Sequence, residues 1–159
     1  MKQSTRAKRT RMKTPPRITR STRNSQKKIK SCVKNTKSVI VENFIELLNM
    51  VKLYHWNTDS FAQHKATDEL HERLSGHIDK FVEVLLGKKE DRIRNLNSTS
   101  PLINSKNTHT FKDRIYRYRE YLIDMDKCFD PTRDTDILNI RDEILGDINQ
   151  FLYLLTLNK

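Results

Sequence analysis

Glycine and proline are scarce in this chain, at 3 and 4 of its 159 residues. That disfavours turn-rich β architectures and suits long helices. Cysteine is nearly absent: Cys32 and Cys128 form no C-x-x-C pair and no framework of bridges, so a reducing, intracellular setting is the simpler expectation. No apolar run approaches the roughly 18 residues needed to span a bilayer, and the N-terminus lacks the apolar stretch of a secretory signal. A soluble protein with no membrane partner is expected. The most informative absence is of acid. None of the 20 Asp and Glu residues precedes Glu42, whereas 14 of the 31 Lys and Arg residues lie within residues 1–37.

The formal net charge of +11 is therefore unevenly distributed: the remaining 122 residues hold 17 basic and 20 acidic side chains. Residues 1–36 cannot bury enough apolar surface to offset the entropy of ordering, which predicts a disordered basic tail. Its cations include Arg6, Lys8, Arg9, Arg11, Lys13, Arg17, Arg20, Arg23, Lys27, Lys28 and Lys30. Such a run implies a large counterion-release contribution on nucleic acid. Without aromatic residues for base stacking, binding through the tail should be non-specific and salt-sensitive. Other uses of the same charge are solubility, a localisation signal around Lys27-Lys28-Ile29-Lys30, or organelle import. The sparse apolar residues Ala7, Met12, Ile18 and Ile29 argue against import without eliminating it.

Residues 37–159 carry four amphipathic patterns, expected as helices at about 38–57, 64–86, 110–129 and 135–157. Val41, Phe44, Leu48, Val51 and His55 mark the first stripe; Ala66, Leu70, Leu74, Ile78, Phe81 and Leu85 the second, ending at Gly87 as a C′ residue. Phe111, Ile115, Tyr118, Leu122, Met125 and Phe129 mark the third, and Ile137, Ile140, Ile144, Ile148, Phe151 and Leu155 the fourth. Residues 88–108 read as a long polar crossover. Four helices of about 20 residues with one long central connection describe an all-α, ferritin-like four-helix bundle behind the tail. An up-down-up-down bundle without a ligand site is the plainer alternative.

Four of the five histidines lie between residues 55 and 77, among many carboxylates. At 100° per residue from His64, Asp68 falls near about 40°, Asp79 near 60° and Glu83 near 100°, beside an apolar face at roughly 200° to 320°. His71 and His77 fall toward the core side and are not expected to be ligands, and His109 reads as a residue at a helix start. His64 and Asp79 are fifteen positions apart, or about 22 Å along a helix. One metal site, with ligands about 2 Å from the ion, cannot take both from one chain. Antiparallel two-fold pairing of the second helix with its copy would set His64 and Asp68 of one chain against Asp79 and Glu83 of the other. An exposed, salt-bridged face is the alternative explanation of the same residues.

The run His55-Trp56-Asn57, followed by Phe61, His64, Asp68, Asp79 and Glu83, resembles the Dps family of mini-ferritins. The likeness covers roughly residues 44–87. It implies a ferroxidase centre between two subunits, with iron held by His55, His64 and Asp68 of one and Asp79 and Glu83 of the next, inside a closed oligomer. It would set Trp56 beside the metal, although a packing role is the simpler one for that side chain. The link from His55 to His64 is about three residues shorter than in typical mini-ferritins and lacks their glycine before the phenylalanine. The wording around His64–Asp68 and Asp79–Glu83 is closer still to an uncharacterised Dps-related family of large double-stranded DNA viruses. No Glu-x-x-His pair, the signature of metal sites inside a single bundle, occurs; Asp68-x-x-His71 is the nearest pattern.

The resulting expectation is an iron-binding ferroxidase, soluble and intracellular or carried in a virion, that associates with nucleic acid through its tail. Peroxide or oxygen would be the oxidant. The rival expectation is a non-enzymatic nucleic-acid-condensing or virion protein that uses the bundle as a dimerisation scaffold.

Overall fold

The computed structural model describes residues 37–94, 96, 102, 104 and 107–157. The basic tail of residues 1–36 and its eleven nucleic-acid candidates, Arg6 to Lys30, lie outside the described residues. What is described is helical, with no strand: α1 (Lys37–Asn57), α2 (Phe61–Lys89), α3 (Thr108–Asp124), a 3-10 turn at Met125–Lys127, and α4 (Thr135–Leu154).

The three- and four-residue spacing of apolar positions places each stripe in one core. Phe44, Leu47, Met50 and Val51 of α1, Leu74 and Phe81 of α2, Phe111, Ile115 and Leu122 of α3, and Ile137, Ile144 and Ile148 of α4 are all at most 1% exposed. Aromatic rings tie the elements together. Phe81 meets Phe44 edge-on at 5.1 Å and Phe129 at 6.2 Å; Phe111 stacks on Tyr54 at 3.9 Å and meets Phe151 edge-on. Such pairs add to burial through their quadrupoles.

Contacts along the helices fix their directions. Lys37 pairs with Asp91 at one end of α1/α2, and His55 meets His64 at the other, so the two run antiparallel. Arg73 with Asp147 and Lys88 with Asp136 make α2 and α4 antiparallel. Phe111 with Phe151, and Arg141 with Leu122, do the same for α3 and α4. Tyr54 with Phe111, and Tyr118 with Glu46, do so for α1 and α3. Hence α2 and α3 run in the same direction, and the helix ends that residues 90–107 connect lie at opposite ends of the bundle. Arg141, only 6% exposed, fastens α4 to the end of α3: it donates to the Leu122 carbonyl at 2.8 Å and to Asp126 Oδ1 at 2.6 Å.

Several boundaries differ from the sequence expectation. α2 begins three residues early, because the Ser60 hydroxyl caps it by accepting from the Gln63 N–H. It also continues through Gly87, which is helical, and stops at Glu90, whose φ of 47° is left-handed. Lys88 explains the extra turn: its ammonium reaches Asp134, Asp136 and the Arg133 carbonyl and anchors it to α4. α3 begins at Thr108, two residues before the expected 110, because the Asn107 side chain caps it by accepting from the Thr110 N–H at 2.8 Å. It ends at Asp124, short of the expected 129, and α4 ends at Leu154, short of 157.

Candidate metal centre

Where α1 turns into α2, one buried polar hub holds the chain. Gln63 Oε1 accepts from Tyr54 at 2.5 Å, Thr58 at 3.2 Å and Thr108 at 3.3 Å, joining α1, the turn, α2 and α3. A hub with its partners in place fixes local geometry. His55, in the last turn of α1, and His64, in the first turn of α2, sit beside it.

The two imidazoles stack with centroids 3.9 Å apart and planes 23° from parallel. Each gives its Nδ1–H to the other's backbone carbonyl, at 2.9 Å in both directions. A carbonyl only accepts, so each Nδ1 carries a proton, and in the neutral ring that tautomer puts the lone pair on Nε2. This is the way metal-binding histidines are usually oriented by their surroundings. Nε2 of His55 lies 3.7 Å from Asp68 Oδ1, which also faces the Lys52 ammonium at 3.5 Å. Lys52 in turn lies over the Trp56 ring, 5.8 Å from its centroid. Trp56 itself is 66% exposed, not packed as its structural role would require.

Sequence reasoning set His71 aside as a residue on the core side. One helical turn beyond Asp68, it is half-buried, and burial first, then the nearby Lys52 ammonium, holds it below the ordinary imidazole range. His77 does not join the core either: its Nδ1 meets Asp147 at 2.7 Å and its Nε2 faces Glu143 at 3.9 Å, bridging α2 to α4. His109 is exposed and pairs with Asp113.

The other two candidates stand apart. Asp79 and Glu83 are exposed, more than two turns further along α2. Asp79 borders an apolar groove between α1 and α2, lined by Val41, Ile45, Leu48, Ile78 and Val82 together with the exposed Ser75 and Gly76. A side chain at Gly76 would meet nothing within 4 Å, so the groove is open there. The structure thus stacks His55 on His64 and sets Asp68 beside His55, and it leaves Asp79 and Glu83 at a distance. Among the described residues, no group of three or more His, Cys, Asp or Glu side chains of one chain could hold a metal ion.

Fold and site together define a class: a four-helix, all-α protein with paired imidazoles and a carboxylate at the α1–α2 turn. The chain belongs to a family of unknown function, DUF5856, whose model matches residues 55–155. Comparison with curated proteins and with solved structures gives no match. No helix of the described residues is long and apolar enough to cross a membrane.

Proposed function

We propose that the chain is a Dps-like, ferritin-fold protein that binds and oxidises Fe²⁺ at sites shared between two antiparallel copies of α2. The observation that carries this reading is the reciprocal bonding of His55 and His64, which engages both Nδ1 atoms and leaves Nε2 of His55 3.7 Å from Asp68 Oδ1. Imidazole and carboxylate together are a donor set suited to ferrous iron with positions open to an oxidant. Iron is the substrate here, and Asp68, paired with Lys52 in its absence, exchanges an ammonium for the metal.

Antiparallel helices with one long connection between parallel α2 and α3 agree with a ferritin-like bundle. The two-fold axis that sets residue 64 against 83 and 68 against 79 passes between residues 73 and 74. It also sets Ser75 against Glu72 and Gly76 against His71 of the second copy. Small residues in an open groove are what a close helix crossing requires at that point. Exposed Trp56, Phe61 and Ile45 supply apolar surface for the contact. At such a site two Fe²⁺ give two electrons to one peroxide, which takes up two protons and leaves as two waters. The two added carboxylates of the second copy offset the charge of the ferric products, which a closed oligomer of these subunits would retain.

The charge of residues 1–37 supports nucleic-acid binding as a companion activity. It equally favours the second reading, a nucleic-acid-condensing or virion protein that never handles iron. Trp56, the only tryptophan, distinguishes the two, because it follows His55 directly. Anaerobic addition of Fe²⁺ should quench its fluorescence saturably, with a break at a fixed iron-to-chain ratio. Linear quenching without a break, unchanged in His64→Ala/Asp68→Ala, would leave the second reading standing.

A further inference from the structure

Two arginines of α3, Arg114 and Arg117, line a cleft against α1 that also holds the Glu46 carboxylate. Arg114, Arg117 and Tyr121 follow at steps of three and four residues, one line along the helix. They face Asn43 and Glu46 across the cleft, and Tyr118 completes its lining. The one carboxylate is engaged, since Glu46 Oε1 accepts from the Tyr118 hydroxyl at 2.8 Å. Elsewhere Arg119 and Arg141 have acidic partners, Glu120 and Asp126. Neither Arg114 nor Arg117 has an ion-pair partner among the described residues.

One donor in the cleft is closed to solvent and unmatched: Arg114 Nε has no hydrogen-bond partner among the described residues. Leaving such a group unmet is costly, more so when the group is charged. The Tyr121 hydroxyl is equally closed to solvent and interacts with the Asn43 side chain. Burial also pushes the Tyr121 phenol above its ordinary range, so it remains a donor at neutral pH. Asn43 spends one amide N–H on the Val39 carbonyl at 2.7 Å and stands beside Tyr121. Guanidinium forks and a phenol converging on one space match a tetrahedral oxyanion.

We infer that this α1–α3 cleft binds a phosphate group, independently of any iron chemistry at the α1–α2 turn. The face of α3 outside the cleft carries both signs, with Asp113, Glu120 and Asp124 among Lys112 and Arg119, so it offers no continuous basic track to a polyanionic strand. A free phosphate or a terminal monoester therefore suits the cleft better than a nucleic-acid backbone.

Calorimetric titration of the full chain with inorganic phosphate, at ionic strength matched with chloride, tests this. Saturable binding is expected, weakened about tenfold or more in Arg114→Gln and in Arg117→Gln, and several-fold in Tyr121→Phe. Adenosine monophosphate should bind where adenosine does not. Arg117 is exposed, so its variant keeps the fold and gives the cleanest comparison. Phosphate affinity unchanged in Arg117→Gln overturns the proposal. So does binding of an oligonucleotide alone with no effect of these variants, which would assign the phosphate affinity to the basic N-terminal segment. Oligonucleotide affinity that falls in the same variants would support the site and make a diester its source.

Discussion

His64→Ala/Asp68→Ala should oxidise Fe²⁺ with peroxide no faster than buffer, a loss on the order of 100-fold or more. Disturbing groups that merely orient a ligand costs roughly 10- to 100-fold in affinity or activity, and this variant removes two ligands outright. The fold should survive, because His64 is half-buried and Asp68 is exposed. Removing His64 also withdraws its Nδ1–H bond to the His55 carbonyl and the stacking partner of His55, whose own Nδ1–H bond to the backbone carbonyl of residue 64 remains. The absorbance of ferric product against time, with far-UV circular dichroism as a control, checks both parts. An unchanged oxidation rate would remove these side chains from the chemistry.

Phe81→Ala should destabilise the bundle by about 3–5 kcal/mol, the usual cost of emptying a buried phenylalanine site. Its side chain is fully buried and holds Phe44 of α1 on one side and Phe129, beyond α3, on the other. Flanking rings cannot swing inward without breaking their edge-on contacts, so little of the cavity should collapse. Phe61→Ala is the control: that ring is 76% exposed, and in the isolated chain its loss should stay within about 0.5 kcal/mol. Urea unfolding midpoints of the two variants measure the difference. Similar losses in both would mean that the core does not lie where the helix stripes put it.

Much of this was readable from residue spacing. Leu70, Leu74, Ile78, Phe81 and Leu85 recur at three- and four-residue steps, and all are buried; the third and fourth helices behave alike. Periodicity reports which face is inward; in α1 it did so less closely, since Leu48 is only partly buried while Leu47 and Met50 are fully buried. Helix ends were less legible, since they depend on partners distant in sequence. Gly87 looks like a terminator, yet α2 continues past it because Lys88 finds carboxylates near the start of α4. The candidate metal residues were legible as types at intervals. The Nδ1–H bonds that orient His55 and His64 were not, because they run to backbone carbonyls that carry no residue identity. A wheel drawn on α2 alone sent His77 toward the core, whereas Asp147 of α4 intercepts it. The Arg114–Tyr121 cleft was invisible for the same reason: its character depends on what α1 sets against it.

Co-expression of two crippled chains tests the shared site most directly. One chain carries His64→Ala/Asp68→Ala and the other Asp79→Ala/Glu83→Ala, and each alone should be inactive. Random pairing makes half of the dimers mixed, and each mixed dimer rebuilds one of its two sites, so about a quarter of the wild-type oxidation rate should return. If mixing restores nothing while either chain alone remains inactive, the two halves do not meet across a subunit boundary. Full activity in the Asp79→Ala/Glu83→Ala chain alone would show that α2 of a second copy contributes nothing to the iron site.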